Sequence, residues 1–84
     1  MKVTPIDRNR FYRLITEVLA NKELTAREIA EILFEQGFVM TATRQEVAPR
    51  LTELEKMERV EVVGSKVDVL TKKRVSIYRL CGVH

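Results

Sequence analysis

The chain has 84 residues, 45% of them apolar and 32% charged, with a formal net charge of +3. That composition describes one small globular domain with a single core and a well-solvated surface. It excludes a membrane-spanning helix, because no apolar run approaches the roughly 18 residues that a span requires.

A single cysteine, Cys81, rules out an internal disulfide framework and fits a reducing cytoplasm. Met1 is not followed by a basic region and an apolar core, so no secretion signal is expected and the protein is expected to be cytoplasmic. The charge is unevenly spread. Residues 1–13, with Lys2, Arg8, Arg10 and Arg13 against Asp7, carry +3, and residues 14–36, where five glutamates outnumber Lys22 and Arg27, carry −3. Residues 37–59 balance, and residues 60–84, with Lys66, Lys72, Lys73, Arg74 and Arg79 against Glu61 and Asp68, carry +3. Two basic ends around a neutral or acidic middle suggest an anionic partner.

No repeat, low-complexity tract or Pro/Gly-rich linker divides the chain, so residues 1–84 are read as one domain. The first helix is expected over about 5–21. Thr4 can cap it, Pro5 suits the first helical position and Asp7 meets the free amides of the first turn. Phe11, Leu14, Ile15, Val18 and Leu19 form its apolar stripe, and Asn21 is a suitable terminator. The second helix, about 25–36, opens with the capping box Thr25-Ala26-Arg27-Glu28 and ends at Gly37. Ala26, Ile29, Ala30 and Leu33 give it a narrow apolar stripe, and Leu24 is placed to add a short strand to a later hairpin.

The third helix carries a conflict. Thr43-Arg44-Gln45-Glu46 is a second capping box, and Val47 is in phase with Leu51, Leu54 and Met57, yet Pro49 lies inside the pattern. An interior proline costs about 3 kcal/mol, through a lost hydrogen bond and a clash with the carbonyl four residues back. That carbonyl belongs to Gln45, in the first turn, where a bend is most easily absorbed. A bent helix over about 43–58 is therefore expected, against the alternative of a loop followed by a helix starting at Pro49. The β-branched runs after it read as two strands, about 60–70 and 74–80, with Thr71-Lys72-Lys73-Arg74 as the tip.

Three helices followed by a basic-tipped hairpin form an α+β pattern that resembles a winged helix-turn-helix domain over nearly the whole chain. Pro49-Arg50, the leucine-rich Leu51 to Leu54, Arg59-Val60, Thr71 to Arg74 and Tyr78 resemble, more narrowly, winged-helix proteins encoded by bacteriophages and prophages. Members of that group are mostly uncharacterised. One departure is Glu58, which stands where a glycine commonly ends the third helix. The resemblance implies double-stranded DNA as partner, with the third helix in the major groove and the wing on the backbone, in transcription regulation or as a replication accessory.

In a helix-turn-helix the early residues of the second helix of the pair reach base edges. On a helical wheel Val47, Leu51 and Leu54 define the buried side, with Gln45, Pro49, Thr52 and Lys56 nearly opposite and Arg44, Ala48 and Glu53 on the flanks. Arg44, Gln45, Ala48 and Thr52 are the candidate base contacts, since Gln pairs with adenine, Arg with guanine, and Ala meets a thymine methyl. Lys56, Lys66, Lys72, Lys73 and Arg74 are candidate backbone contacts, together with Thr25 and Thr43, whose helix starts favour anions. Each has a plainer reading: solvated first-turn residues, caps, or lysines that keep a hairpin from aggregating. Arg50 is placed either to pair with Glu31 or Glu35 or to meet a phosphate. Arg10 and Arg13 share an outer stripe with Glu17 as surface charges.

The acids of the third helix oppose this reading. Glu46 and Glu53 point sideways on the wheel, and Glu55 and Glu58 lie nearer the buried side. A homodimer or a protein partner would offset the modest affinity expected of a lone domain. No catalytic site, cofactor, metal or small-molecule substrate is expected. Cys81 and His84 have the spacing of half a metal site without a second pair, and there is no glycine-rich phosphate loop or nucleophile–base set. The competing reading is a winged helix that binds protein through its acidic second helix, without DNA contact.

Overall fold

The structure is a computed structural model, and it describes residues 8–81. The elements in chain order are α1 (Arg8–Val18), β1 (Leu24–Thr25), α2 (Ala26–Glu35), a 3₁₀ turn (Arg44–Glu46), α3 (Ala48–Lys56), β2 (Val60–Val67) and β3 (Arg74–Leu80). Together they make a small α+β domain of three helices and a three-stranded antiparallel sheet, with strand order β1-β3-β2. The expected cap at Thr4, Pro5 and Asp7 lies outside the described residues. β1 pairs with β3 as Leu24 to Tyr78 and Thr25 to Ile77, so the chain entering α2 is stitched to the last strand. β2 pairs with β3 from Val60–Leu80 to Val67–Arg74, with a bulge between Val62 and Gly64.

The apolar stripes meet in one core. Ile15, Leu19, Ile29, Leu33, Val47, Leu51 and Leu54 are fully enclosed, and Val60 contributes from the start of β2. Each such aliphatic side chain stabilises the fold by about 1.5–3 kcal/mol relative to leaving it in water. Met57, in phase with this stripe on the wheel, is instead 45% exposed, because α3 has ended one residue before it.

Two helix ends use the same device. In α2 the Phe38 amide donates to the Leu33 carbonyl and the Gly37 amide to Phe34, with Gly37 at φ 81°. In α3 the Arg59 amide donates to Leu54 and the Glu58 amide to Glu55, with Glu58 at φ 60°. Both are Schellman ends, and the second places a glutamate in the left-handed position that glycine occupies at no steric cost. Asn21, at φ 61°, turns the chain after α1 in the same conformation, as its type suggests. Glu58→Gly is therefore expected to raise unfolding stability by about 0.5–1 kcal/mol, after allowing for the added freedom of the unfolded chain. Urea midpoints measure this, and a lower midpoint for the variant would contradict the account of the turn.

The start of α3 corrects the expectation of one bent helix over 43–58. The chain makes a 3₁₀ turn at Arg44–Glu46, passes through Val47 at φ −116° and begins α3 at Ala48, with Pro49 in the first turn. The first helical bond runs from the Leu51 amide to the Val47 carbonyl. In this arrangement Pro49 forfeits nothing, because amides of a first turn have no intrahelical partner. The second capping box does not close. Thr43 makes no side-chain cap, its hydroxyl lies 3.1 Å from that of Thr41, and Glu46 accepts from the Thr41 hydroxyl at 3.0 Å. The first box does close: the Thr25 hydroxyl accepts from the Glu28 amide and Glu28 accepts from the Thr25 amide at 2.8 Å.

Candidate nucleic-acid interface

The hairpin reverses through Asp68 to Lys73, a turn built around one carboxylate. Asp68 accepts from the Leu70 amide at 3.2 Å, the Thr71 amide at 2.9 Å, the Thr71 hydroxyl at 3.1 Å and Arg27 Nε at 2.8 Å. The Asp68 amide donates to the Lys73 carbonyl and the Lys72 amide to the Asp68 carbonyl, which closes the loop with Lys72 at φ 63°. β2 therefore stops at Val67 rather than running to residue 70, because from Asp68 onward the polar groups serve the turn. Arg27 fixes this turn to the first turn of α2. Its side chain and that of Asp68 are 18% and 8% exposed, so the pair is largely withdrawn from water.

The tip presents Lys72 and Lys73 to solvent, and neither forms an ion pair among the described residues. Arg74 is the first residue of β3 and donates to the Ser65 hydroxyl at 3.1 Å, leaving the rest of its guanidinium exposed. Lys66 behaves differently, because its ammonium lies 2.6 Å from Glu28 and is committed to the α2 capping box. Thr25 is 2% exposed and its hydroxyl caps α2, so no open face remains there for a phosphate. Thr43 is exposed but heads no α-helix, which removes the reason for expecting an anion at it.

Arg44 and Gln45 are exposed on the 3₁₀ turn ahead of α3, rather than on α3 itself. A small cleft joins that turn to the hairpin: Arg44, Arg27, Asp68, Thr71, Ser76 and Tyr78 all line it. On α3 Pro49, Thr52 and Lys56 are exposed and Ala48 is half-buried, and the Thr52 hydroxyl donates back to the Ala48 carbonyl at 3.2 Å. Burial pushes the Tyr78 hydroxyl above its ordinary pKa, the Glu55 carboxylate adds to this, and Arg44 opposes it.

The acids separate into two groups. Glu53 is absorbed by the fold, accepting from the Tyr12 hydroxyl at 2.5 Å and Arg50 Nη2 at 3.0 Å, with Arg8 at 3.9 Å. That contact also resolves Arg50, which pairs with its own helix rather than with Glu31 or Glu35, while its Nε is buried without a partner. Glu55 and Glu58, by contrast, are exposed rather than turned toward the core. A second, wider depression of about 610 Å³ is lined by Leu19, Lys22, Glu23, Glu61, Arg79 and Leu80. There Arg79 is occupied by Glu61 at 2.7 Å and Glu23 at 3.8 Å. His84 lies outside the described residues, and among those described no three His, Cys, Asp or Glu side chains stand together as metal ligands. No helix of the described residues is long and apolar enough to cross a membrane.

Three carboxylates are held below their ordinary pKa. The Thr71 amide, its hydroxyl and Arg27 outweigh the burial of Asp68, and the Tyr12 hydroxyl leads the same effect at Glu53. At Glu28 partial burial pushes upward, but the hydrogen bonds from Lys66 and the Thr25 amide more than offset it. Because the folded values lie below the unfolded ones, this stabilisation is complete above the unfolded carboxylate range of about pH 4 and fades as pH falls through the lower folded values. Urea midpoints are expected to be flat near neutrality and to drop on acidification. Asp68→Asn is expected to be less stable at neutral pH and to show a shallower acid limb.

No known protein family, curated protein or solved structure matches this chain.

Proposed function

We propose that this chain is a winged helix-turn-helix domain that binds double-stranded DNA. The observation that carries the reading is the cleft shared by Arg44 of the 3₁₀ turn and Asp68, Thr71 and Ser76 of the hairpin. It brings Arg44, a residue suited to base edges, beside a hairpin whose tip lysines, Lys72 and Lys73, are uncommitted among the described residues, so one duplex can engage both. α2 and α3 form the helix pair, and β2 and β3 form the wing. The connection between the helices is longer than the three or four residues of the simplest helix-turn-helix, and the 3₁₀ turn fills it. Arg44 and Gln45 then reach bases from just ahead of α3, Ala48 and Thr52 from its outer face, and Lys56, Lys72, Lys73 and Arg74 meet phosphates. Lys66, Thr25 and Thr43 are left out of this interface for the structural reasons above. Regulation of transcription, or an accessory role in phage or prophage replication, is the setting that the sequence resemblance supports.

The test is titration of a labelled mixed-sequence duplex at several salt concentrations. Binding that weakens steeply with salt supports the reading, and no binding at low salt removes it. A second reading, as a protein-docking module, draws on one feature of α2: Phe34 is 47% exposed between the exposed carboxylates of Glu31 and Glu35. Substituting Phe34 would then abolish partner binding, whereas under the first reading it leaves duplex binding intact.

A further inference from the structure

The hairpin tip carries more than cations. Val69 is 75% exposed and Leu70 68%, so two adjacent aliphatic side chains project at the turn, one residue ahead of Lys72, Lys73 and Arg74. A flexible tip would fold such side chains back onto apolar surface. This one is held out. The turn that carries the pair is tied by the hydrogen bonds that the Asp68 carboxylate accepts from the Leu70 and Thr71 amides and from Arg27 Nε, and by the closing bond from the Asp68 amide to the Lys73 carbonyl.

A stiff finger with an aliphatic end and a cationic flank is complementary to one feature of duplex DNA. In the minor groove the phosphates on both walls attract cations, while the gap between two base pairs accepts an aliphatic wedge when the step unstacks. Pyrimidine–purine steps, TA above all, unstack most readily. Two aliphatic side chains match one such step. Lys72 and Lys73 follow within three residues of Leu70, close enough to take phosphates beside it.

We infer that Val69 and Leu70 form a wedge that enters the minor groove and parts one base step, so that the protein bends DNA as it binds. The inference rests on the duplex-binding reading and adds a mode of action to it. A straight duplex held only by its backbone would make no use of the aliphatic pair.

The experiment uses the full chain and a duplex of about 30 base pairs that carries a fluorescence-transfer pair at its ends and 2-aminopurine in a central TA step. With the unaltered protein, end-to-end transfer is expected to rise to a kink of roughly 20–90° and 2-aminopurine fluorescence to increase. The double variant Val69→Ser/Leu70→Ser is expected to bind with an unchanged salt dependence, to leave the duplex straight and to leave the probe stacked. Both positions are exposed, so an unchanged melting temperature is expected to confirm that this variant folds. Binding by the unaltered protein with a straight duplex and a silent probe overturns the wedge while leaving duplex binding intact. So does a double variant that bends like the unaltered chain. No binding to the duplex at low salt overturns both readings. Vesicles containing phosphatidylserine form a control arm, and loss of vesicle binding in the double variant, with no effect on DNA, would assign the tip to lipid and overturn the wedge.

Discussion

Replacing Lys72, Lys73 and Arg74 together by alanine is expected to make the salt dependence of duplex binding shallower by nearly three units in log K against log salt, at about 0.9 per phosphate contact. The same relation puts the loss of affinity at about 0.1 M salt on the order of 10²-fold. The effect is large because, among the described residues, no carboxylate pairs with these charges. Lys72 and Lys73 are exposed with no ion pair among the described residues, and Arg74 spends one hydrogen bond on Ser65. Lys66→Ala supplies the contrast within the same hairpin. Its ammonium is already neutralised by Glu28, so its removal is expected to change the salt slope little and to act on the α2 cap instead. Fold is not at risk in the triple variant, because the turn is held by Asp68, Thr71 and backbone groups that it retains. An unchanged slope would end the case for the hairpin as a backbone clamp, even if the domain still bound DNA.

Which of these features could be read from the sequence depends on how local their causes are. The apolar phase of Val47, Leu51 and Leu54 is legible, and it survives even where the expected helix start fails. Val47 directly precedes α3 and its carbonyl takes the first bond of that helix, and its side chain is fully buried with the stripe. The two capping-box patterns at Thr25 and Thr43 look equivalent in sequence, yet only the first closes. The difference lies downstream. No proline follows Thr25 within its helix, whereas Pro49 makes continuous helix from Thr43 unfavourable and a fresh start at Ala48 free of cost. The role of Asp68 is less local. The pattern Asp68-Val69-Leu70-Thr71 is a known way for a carboxylate to organise a turn, but its partner Arg27 is 41 positions away and only the folded chain brings them together. The same holds for Glu28 with Lys66 and for Glu53 with Tyr12. Basic residues can be counted in a sequence, but whether each is free depends on carboxylates brought near by the fold.

Leu51→Ala is expected to destabilise the domain by about 2–5 kcal/mol, through lost burial and the cavity left behind. At roughly 0.05–0.15 kcal/mol per residue, a chain of 84 residues holds only about 4–13 kcal/mol in total. The substitution therefore removes a large share of it, and the melting temperature is expected to fall by on the order of 10–30 °C. Leu51 is completely enclosed by the side chains of a core that draws on every helix and on the first residue of β2. Thr52, the next residue, is exposed and bonded only to the Ala48 carbonyl of its own helix, so Thr52→Ala is expected to stay within about 0.5 kcal/mol of the unaltered protein. The pair separates the two faces of α3. If the outer face reads bases, Thr52→Ala weakens or relaxes DNA binding at an unchanged melting temperature. Leu51→Ala, by the same logic, weakens binding only in proportion to the unfolded fraction, and cooling that refolds the domain restores it. The opposite pattern, with binding lost in a fully folded Leu51→Ala and intact in Thr52→Ala, would mean that α3 acts through its buried side and that its exposed face has no part in recognition.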